Sequence, residues 1–453
     1  MEGRDNKSIA RKIFLRALAE VDIGKAFDRQ LDYQRGVLRV CEDLYDLRSF
    51  SRVFVVSIGK AGRRMAEALS QKLGSTVQGI VADPDTEMSL LPGYRHFSGS
   101  HPQPNIESIR GAEAILKSLS SLDDRAMVLF MISGGGSSVV EKPMDRLSID
   151  RRGIDRMGDA EAEAISLDDL IATYRVLVLS GAPIAQINAV RKHLSLIKGG
   201  RMAAAAAQTA QQVSILVSDV PENALDFLSS GPTMPDSSSV EDCYRIVNEY
   251  GILEDLPASV REIFSQRALE ETPKPGDPAF ARSRWWKVLS SETAEKTAAE
   301  AAAREGFAVE IDHSCDDWDY VKAADYLLDR LRHLRSGVSK VCLVSGGEVT
   351  VKVAGKSGVG GRNQQFALYC AEKIAGENTV VLSAGTDGID GNSPVAGGLA
   401  DGTTLDRARN AGLDAANHLR EFNAFPLLET LGDIIHTGPT GTNVRDLRIL
   451  LAY

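Results

Sequence analysis

The sequence predicts an α/β protein of two domains, each a mainly parallel sheet flanked by helices, and three observations predict it. Six apolar runs of strand character each stop at a turn rich in glycine, serine or aspartate: Ser57-Ile58-Gly59-Lys60, Ser133-Gly134-Gly135-Gly136-Ser137-Ser138, Ser218-Asp219-Val220-Pro221, Ser345-Gly346-Gly347-Glu348, Ser383-Ala384-Gly385-Thr386-Asp387-Gly388 and Thr437-Gly438-Pro439-Thr440-Gly441-Thr442. Runs such as Val53-Phe54-Val55-Val56 are apolar throughout, as a strand buried on both faces of a parallel sheet must be. The length, 453 residues, exceeds what one hydrophobic core usually serves.

Taken in order, residues 7–48 alternate apolar and charged positions at helical spacing and predict two helices before the first strand. A helical pattern from Gly59 to about Lys72 puts Lys60 near a helix amino terminus. His101-Pro102-Gln103-Pro104-Asn105 reads as a loop, Ile106 to Leu119 as a helix and Leu129 to Ile132 as a strand. The charged stretch 145–163 lacks periodicity and reads as a surface excursion. Asn188 to Ala207 joins a basic turn, Arg191-Lys192-His193, to a helix whose start is marked by Lys198-Gly199-Gly200-Arg201. Three prolines and a glycine make Glu271 to Pro278 a linker candidate. Beyond it, Trp285 to Leu289, Thr293 to Arg304 and Phe307 to Ile311 predict a fresh βαβ unit. The expected domains are therefore 1–280 and 281–453.

Composition excludes some functions. With 52 basic against 62 acidic residues, the formal charge of −10 argues against a nucleic-acid or anionic-membrane partner, since both want a basic face. The five cysteines form no Cys-x-x-Cys pair, so neither a disulfide framework nor a zinc site is indicated, and Cys342 and Cys370 read as core thiols. No stretch approaches a membrane span, and the amino terminus has no apolar signal core. A cytoplasmic enzyme acting on small molecules is expected, as a monomer or homodimer.

In open α/β sheets ligands bind beyond the carboxyl ends of the strands, and successive free N–H groups at glycine turns form a nest for anions. Gly134, Gly135 and Gly136, with the hydroxyls beside them, suit phosphate oxygens, although a single such turn can be purely structural. The turn matches neither Gly-x-x-x-x-Gly-Lys-Ser/Thr nor Gly-x-Gly-x-x-Gly. Lys60 can meet a phosphate at the sheet edge, or be a solvated surface lysine. Asp219 could accept a proton from a substrate hydroxyl, hold magnesium, or form an Asx-turn. Arg362 and Asn363 follow a glycine run near Glu348, where a guanidinium fork suits phosphate. Asp387 and Asp390 offer two carboxylates without the spacing of a calcium loop; magnesium, a ribose or a plain double turn would each fit. His101 and His193 could be bases, or ordinary loop and cap histidines.

Together these motifs resemble the glycerate 2-kinase family, two-domain enzymes with a carboxy-terminal MOFRL-type domain. Besides the six turns, the likeness rests on Asn188-Ala189-Val190-Arg191-Lys192-His193-Leu194-Ser195, Ser230-Gly231-Pro232-Thr233, Gly360-Gly361-Arg362-Asn363-Gln364 and Asn443-Val444. It runs in order from about residue 8 to the end. The resemblance implies transfer of the γ-phosphoryl group of ATP, with magnesium, to the 2-hydroxyl of D-glycerate in a cleft between the domains. It implies that Lys60 and Arg362 neutralise the moving phosphate, that Asp219 orients or deprotonates the acceptor, and that Arg191, with Ser133 and Ser137, binds substrate. Gly134 to Gly136, Glu348, Asn363 and Asp387 are assigned to the nucleotide, and Asp219 and Asp387 to the metal. The chain departs from the family pattern at Glu222-Asn223-Ala224, Gln365, Gly391 to Gly397 and Asn423-Ala424-Phe425, mostly by losing acidic groups. A related hydroxy acid as acceptor, hydroxypyruvate reduction, and a sensory nucleotide-binding role are the alternatives; the missing Gly-x-Gly-x-x-Gly counts against the second.

Overall fold

In the computed structural model, residues 6–74, 77–85, 91–144, 165–353, 355 and 358–453 are described. The charged excursion expected at 145–163 lies outside them. The chain forms two compact units, one of residues 27–288 and the other of residues 1–26 with 289–453.

The 27–288 unit opens with an antiparallel meander of β1 (Leu31–Gln34), β2 (Val37–Val40) and β3 (Asp43–Asp46). Helices are expected as far as residue 48, but only Asn6–Glu20 and Ile23–Gln30 are α-helical, with a single 3-10 turn at Leu47–Ser49. The reason is local: Arg35 and Gly36 hold left-handed φ of 51° and 87°, which closes a two-residue hairpin rather than a helical turn. Next come β4 (Val53–Ile58), the helix Gly62–Leu73, β5 (Gln78–Asp83), β6 (Tyr94–Ser98), the helix Ile106–Ser120 and β7 (Met127–Ser133). The helices Leu167–Leu179 and Ile184–His193 precede β8 (Gln211–Val217), and β9 (Ser283–Leu289) ends the unit. The sheet order is β6-β5-β4-β7-β8-β9, with β6 through β8 parallel. Strand order reverses between β4 and β7, so their carboxyl ends form the topological switch point where such sheets bind ligands. Residue after residue of β7 is buried, which explains its unbroken apolar run.

The other unit contains β10 (Ala308–Ile311), β11 (Val341–Gly347), β12 (Thr379–Gly385), β13 (Gly397–Asp401), β14 (Ile434–Ile435) and β15 (Asp446–Ala452), in the order β10-β11-β15-β12-β13-β14. The expected mainly parallel sheet describes the first unit. Here only β10 and β11 run parallel, because the last strand of the chain enters between β11 and β12 in the opposite sense. The inversion brings the amino end of β15 beside the carboxyl ends of β11 and β12.

Two assignments made at the domain boundary differ in the fold. The strand around Trp285 lies at the edge of the first sheet rather than beginning the second, so it is not one βαβ unit with β10. The stretch Glu271 to Pro278 is a packed loop: Glu271 accepts from His193 and Thr272 donates to Asp236, at 2.9 and 2.8 Å. At the other end of the chain, the helix Asn6–Glu20 belongs with residues 289–453. It packs on the helix Ser291–Arg304 through a face that buries Ile9, Ala10, Ile13, Phe14 and Ala17. Burying each large side chain there is worth about 1.5–3 kcal/mol. Lys7 adds ion pairs to Asp433 at 2.8 Å and Asp401 at 3.2 Å.

All five cysteines are free, and four are buried. Burial pushes the Cys342 thiol up to about 12, which suits a core thiol rather than a nucleophile. Among the described residues no helix is long and apolar enough to cross a membrane.

Candidate active site

The turns after β4 and β7 are built as one piece. Lys60 N–H donates to Gly134 O at 2.9 Å and Ala61 N–H to Ser133 Oγ at 3.0 Å, while Ser133 Oγ also reaches Ile58 O. Gly59 has φ of 106° and lies against Ser133, where a side chain would collide with backbone. The Ser133 hydroxyl, expected to bind substrate, is therefore buried and spent on positioning the neighbouring turn.

Gly134 and Gly135 do separate jobs. A Cβ on Gly134 would occupy the place of the Asp219 carboxylate, so glycine is what lets Asp219, at the end of β8, rest on this turn. A Cβ on Gly135 would press against Lys60 and the His101 ring, at 2.9 and 3.1 Å. Gly136 N–H donates to Ser229 Oγ at 2.9 Å, and that hydroxyl in turn donates to Ser133 O at 2.6 Å. Ser137 is half-buried and Lys60 exposed. Lys60, His101, Asp219 and the Gly134–Ser137 turn thus converge beyond the carboxyl ends of β4, β7 and β8.

Arg191 reaches the same region from the helix Ile184–His193. Its guanidinium stacks on the Tyr174 ring at 4.2 Å, and its Nε is buried without a hydrogen-bond partner. Tyr174 is itself clamped: its hydroxyl donates to Glu141 Oε2 at 2.5 Å and accepts from Lys198 Nζ at 3.1 Å. Glu141 also takes the Ser195 hydroxyl at 2.6 Å and pairs with Lys198. Burial pulls the Lys198 ammonium down to about 8 despite the carboxylate beside it, and Arg191 pulls the same way. Sequence reasoning noticed Lys198 as a helix marker and as part of the Lys198-Gly199-Gly200-Arg201 motif that carries the family resemblance, and missed Glu141 and Tyr174 altogether. Nothing near them in sequence signals a buried ion pair that forms across more than fifty residues.

Burial, followed by the charges of Lys60 and Arg191, lowers His101 to about 4. The ring is neutral at pH 7, and charging it costs stability as pH falls from about 6.5 towards 4, because the unfolded chain then binds the proton the folded one refuses. His101→Gln is expected to keep the shape of the kcat/KM profile between about pH 6 and 8 and to lessen acid destabilisation below it. Loss of the acidic limb of that profile, together with a large fall in kcat, would instead make His101 the proton acceptor.

The other unit gathers a second set of groups at one sheet edge. Arg362 opens the helix Arg362–Lys373 and makes a bidentate pair with Asp446, Nε to Oδ2 at 2.6 Å and Nη2 to Oδ1 at 3.0 Å, with Glu348 Oε1 at 3.1 Å from Nη2. Burial opposes the charge on Arg362, but Asp446 more than compensates and its pKa rises. Asp446 opens β15 and was not singled out in the sequence; only the antiparallel entry of that strand puts it beside Glu348. Asp387 follows β12, and both Asp387 and Asp446 flank Gly385.

Asn363 and Asp390 turn inward. Asp390 caps the helix, accepting from the N–H groups of Asn363 and Gln364 at 3.0 and 2.9 Å and from both their side-chain amides. Asn363, assigned to the nucleotide in the sequence, is buried and its Oδ1 accepts from Ser383 at 2.6 Å. Burial raises Asp390 to about 6, with Asp446 adding to it. A folded pKa above the unfolded one stabilises below about pH 4 and loses that contribution as pH rises through 6. Asp390→Asn places an NH₂ where two donors already point. It is expected to lose about 1–3 kcal/mol in urea unfolding at pH 7, and to lose more as pH falls below 6; equal stability across that range would contradict the capping role.

Among the described residues, no group of three or more His, Cys, Asp or Glu side chains is placed to hold a metal ion. Magnesium in phosphoryl-transfer sites usually takes one or two carboxylates and completes its shell with phosphate oxygens and water. Asp387 with Asp446 in one unit, and Asp219 in the other, each fit that modest demand.

Comparison with known proteins gives two family matches. Residues 9–265 match a domain of unknown function, DUF4147, and residues 341–446 the MOFRL family. The D-glycerate 2-kinase of Thermotoga maritima is 33% identical over 408 residues, 88% of this chain and 91% of its own. A protein of Agrobacterium vitis with the provisional name hydroxypyruvate reductase is 34% identical over 422 residues, 89% of this chain and 88% of its own. The solved structure of a Thermotoga maritima glycerate kinase superposes with a TM-score of 0.81 at 30% identity, covering 99% of each chain.

Proposed function

The chain belongs to the glycerate 2-kinase family, and from that premise we propose that it transfers the γ-phosphoryl group of ATP to the 2-hydroxyl of D-glycerate. It is an enzyme that phosphorylates an alcohol group. The observation that carries the reading is the convergence of Lys60, Asp219 and Arg191 on the Gly134–Ser137 turn at the switch point. Phosphoryl transfer asks a protein for positioning and charge rather than covalent chemistry, and these groups supply both.

Asp219 accepts the proton of the attacking hydroxyl, and the hydroxyl oxygen takes the phosphoryl group as the bond to ADP breaks. Lys60 sets a mobile cation above the glycine turn to meet phosphate oxygens. The Arg191 fork, stiffened by Tyr174, takes the substrate carboxylate in bidentate fashion. In the other unit Arg362 meets the phosphates of the donor, and Asp387 would supply a carboxylate for magnesium. Held there, magnesium would offset the negative charge of the phosphates.

Product analysis tests the reading. With D-glycerate, ATP and magnesium, coupling through enolase and pyruvate kinase without a phosphoglycerate mutase reports 2-phosphoglycerate directly. Signal in that assay is expected, and Lys60→Ala should lower it about 10²–10³-fold with the fold retained. NADH oxidation on hydroxypyruvate with no phosphorylated product would replace the kinase by a reductase.

A further inference from the structure

Beside Arg362 lies a cavity of about 280 Å³. Val351, Val353 and Phe422 give it apolar walls, and Gln365, Asn392 and the backbone of Gly358 to Gly361 give it polar edges. Among the described residues Arg362 is its only charged lining side chain. The space sits just below the usual range for whole ligands, about 300–1,000 Å³, so it suits one flat ring system rather than a complete nucleotide.

The polar edges are fixed without any ligand. Gly358 N–H donates to Glu421 O, Val359 N–H to Asn423 Oδ1 and Gly360 N–H to Asn392 Oδ1, at 3.0, 2.8 and 2.8 Å. Asn392 Nδ2 returns a bond to Gly358 O at 3.1 Å. A Cβ on Gly358 would strike Asn423. Gln365 is buried and anchored, with Nε2 donating to Leu419 O at 2.8 Å. Against these pinned edges Val353 stays 44% exposed. A recess with a pinned polar edge and an uncovered aliphatic side chain is suited to something apolar.

We propose that this recess binds the nucleobase of the phosphate donor, the ring lying against Val351, Val353 and Phe422 with the amides of Gln365 and Asn392 at its polar edge. Glycerate, small and anionic, gains little from aliphatic walls, and a cation would find no carboxylate among the described lining residues. A nucleobase fits both the apolar faces and the neutral amides, and it leaves the phosphates at the Arg362 end. The inference rests on the kinase reading above.

The test separates base from phosphate. Val353→Trp fills the recess from an exposed position, and Phe422→Ala removes a wall. ADP and inorganic tripolyphosphate are titrated calorimetrically into each variant and the wild type, and KM is measured for ATP and for glycerate. Val353→Trp is expected to weaken ADP about tenfold, to leave tripolyphosphate within about twofold, and to raise KM for ATP but not for glycerate. Phe422→Ala should act in the same direction, more weakly. Equal losses for ADP and tripolyphosphate, unchanged ADP binding, no ADP binding by the wild type, or a shift in glycerate KM would each overturn the assignment. A wild type that phosphorylates glycerate while Val353→Trp binds ADP normally sinks the nucleobase pocket alone. A wild type with the expected ADP pattern but no product from glycerate sinks the acceptor and keeps the pocket.

Discussion

Arg362→Ala is expected to lower turnover about 10²–10³-fold, the range found when a preorganised donor to a developing negative charge is removed. The complication is Asp446, whose side chain is 1% exposed and loses a bidentate partner. Breaking such a pair destabilises the fold by itself, although Arg362 at 37% exposure keeps part of the effect screened. The double variant Arg362→Ala/Asp446→Asn separates the two roles. If Arg362 serves the transferring phosphate, neutralising Asp446 restores thermal stability while kcat stays low. Recovery of kcat together with stability would make Arg362 a structural counter-ion. Arg362→Lys should fall between, since it keeps the charge but loses the fork.

Glu141→Ala is expected to cost about 3–5 kcal/mol in urea unfolding at pH 7, because it strands the fully buried Lys198 without its carboxylate. The sign with pH is specific. Lys198 already lies near 8, so raising pH beyond that lets the amine shed its proton, and the penalty shrinks. Glu141→Ala/Lys198→Met should recover most of the loss. A Glu141→Ala penalty that is flat from about pH 7 to 10 would show that the ammonium is not what the carboxylate stabilises. Because Glu141 also holds the Tyr174 hydroxyl beneath Arg191, the single variant should raise KM for the acceptor as well.

The sequence displayed the strand-end turns clearly because their cause is local: a run apolar on both faces, then glycines that only a tight turn tolerates. Lys60, Asp219 and the Gly134–Ser137 turn were legible for that reason. Arg362 near Glu348 was legible too, since a glycine run leads directly into its helix. What stayed hidden depends on pairing across long separations. Asp446 takes its place through the reversed direction of β15, and Lys198 is explained only by Glu141 across a folded core. Asp390 looked like half of a carboxylate pair, yet the helix it caps begins 28 residues earlier, at Arg362. The hairpin of β1 and β2 was mistaken for helix because short amphipathic stretches satisfy both periods, and the deciding signal, left-handed Arg35-Gly36, is only two residues long.

The helix Asn6–Glu20 leaves the ribosome before residues 27–288, yet the surface it covers, on residues 289–453, is made after them. At about 5–20 residues per second, tens of seconds pass before its partner exists. During that wait Ile9, Ile13 and Phe14 are an exposed greasy stripe on a growing chain, while residues 27–288 can already close their own core. The carboxy-terminal segment cut out by itself would carry the matching bare patch. Synthesis order thus makes the two chain ends hostage to each other, and a fragment that behaves in solution would have to carry the first helix grafted back on.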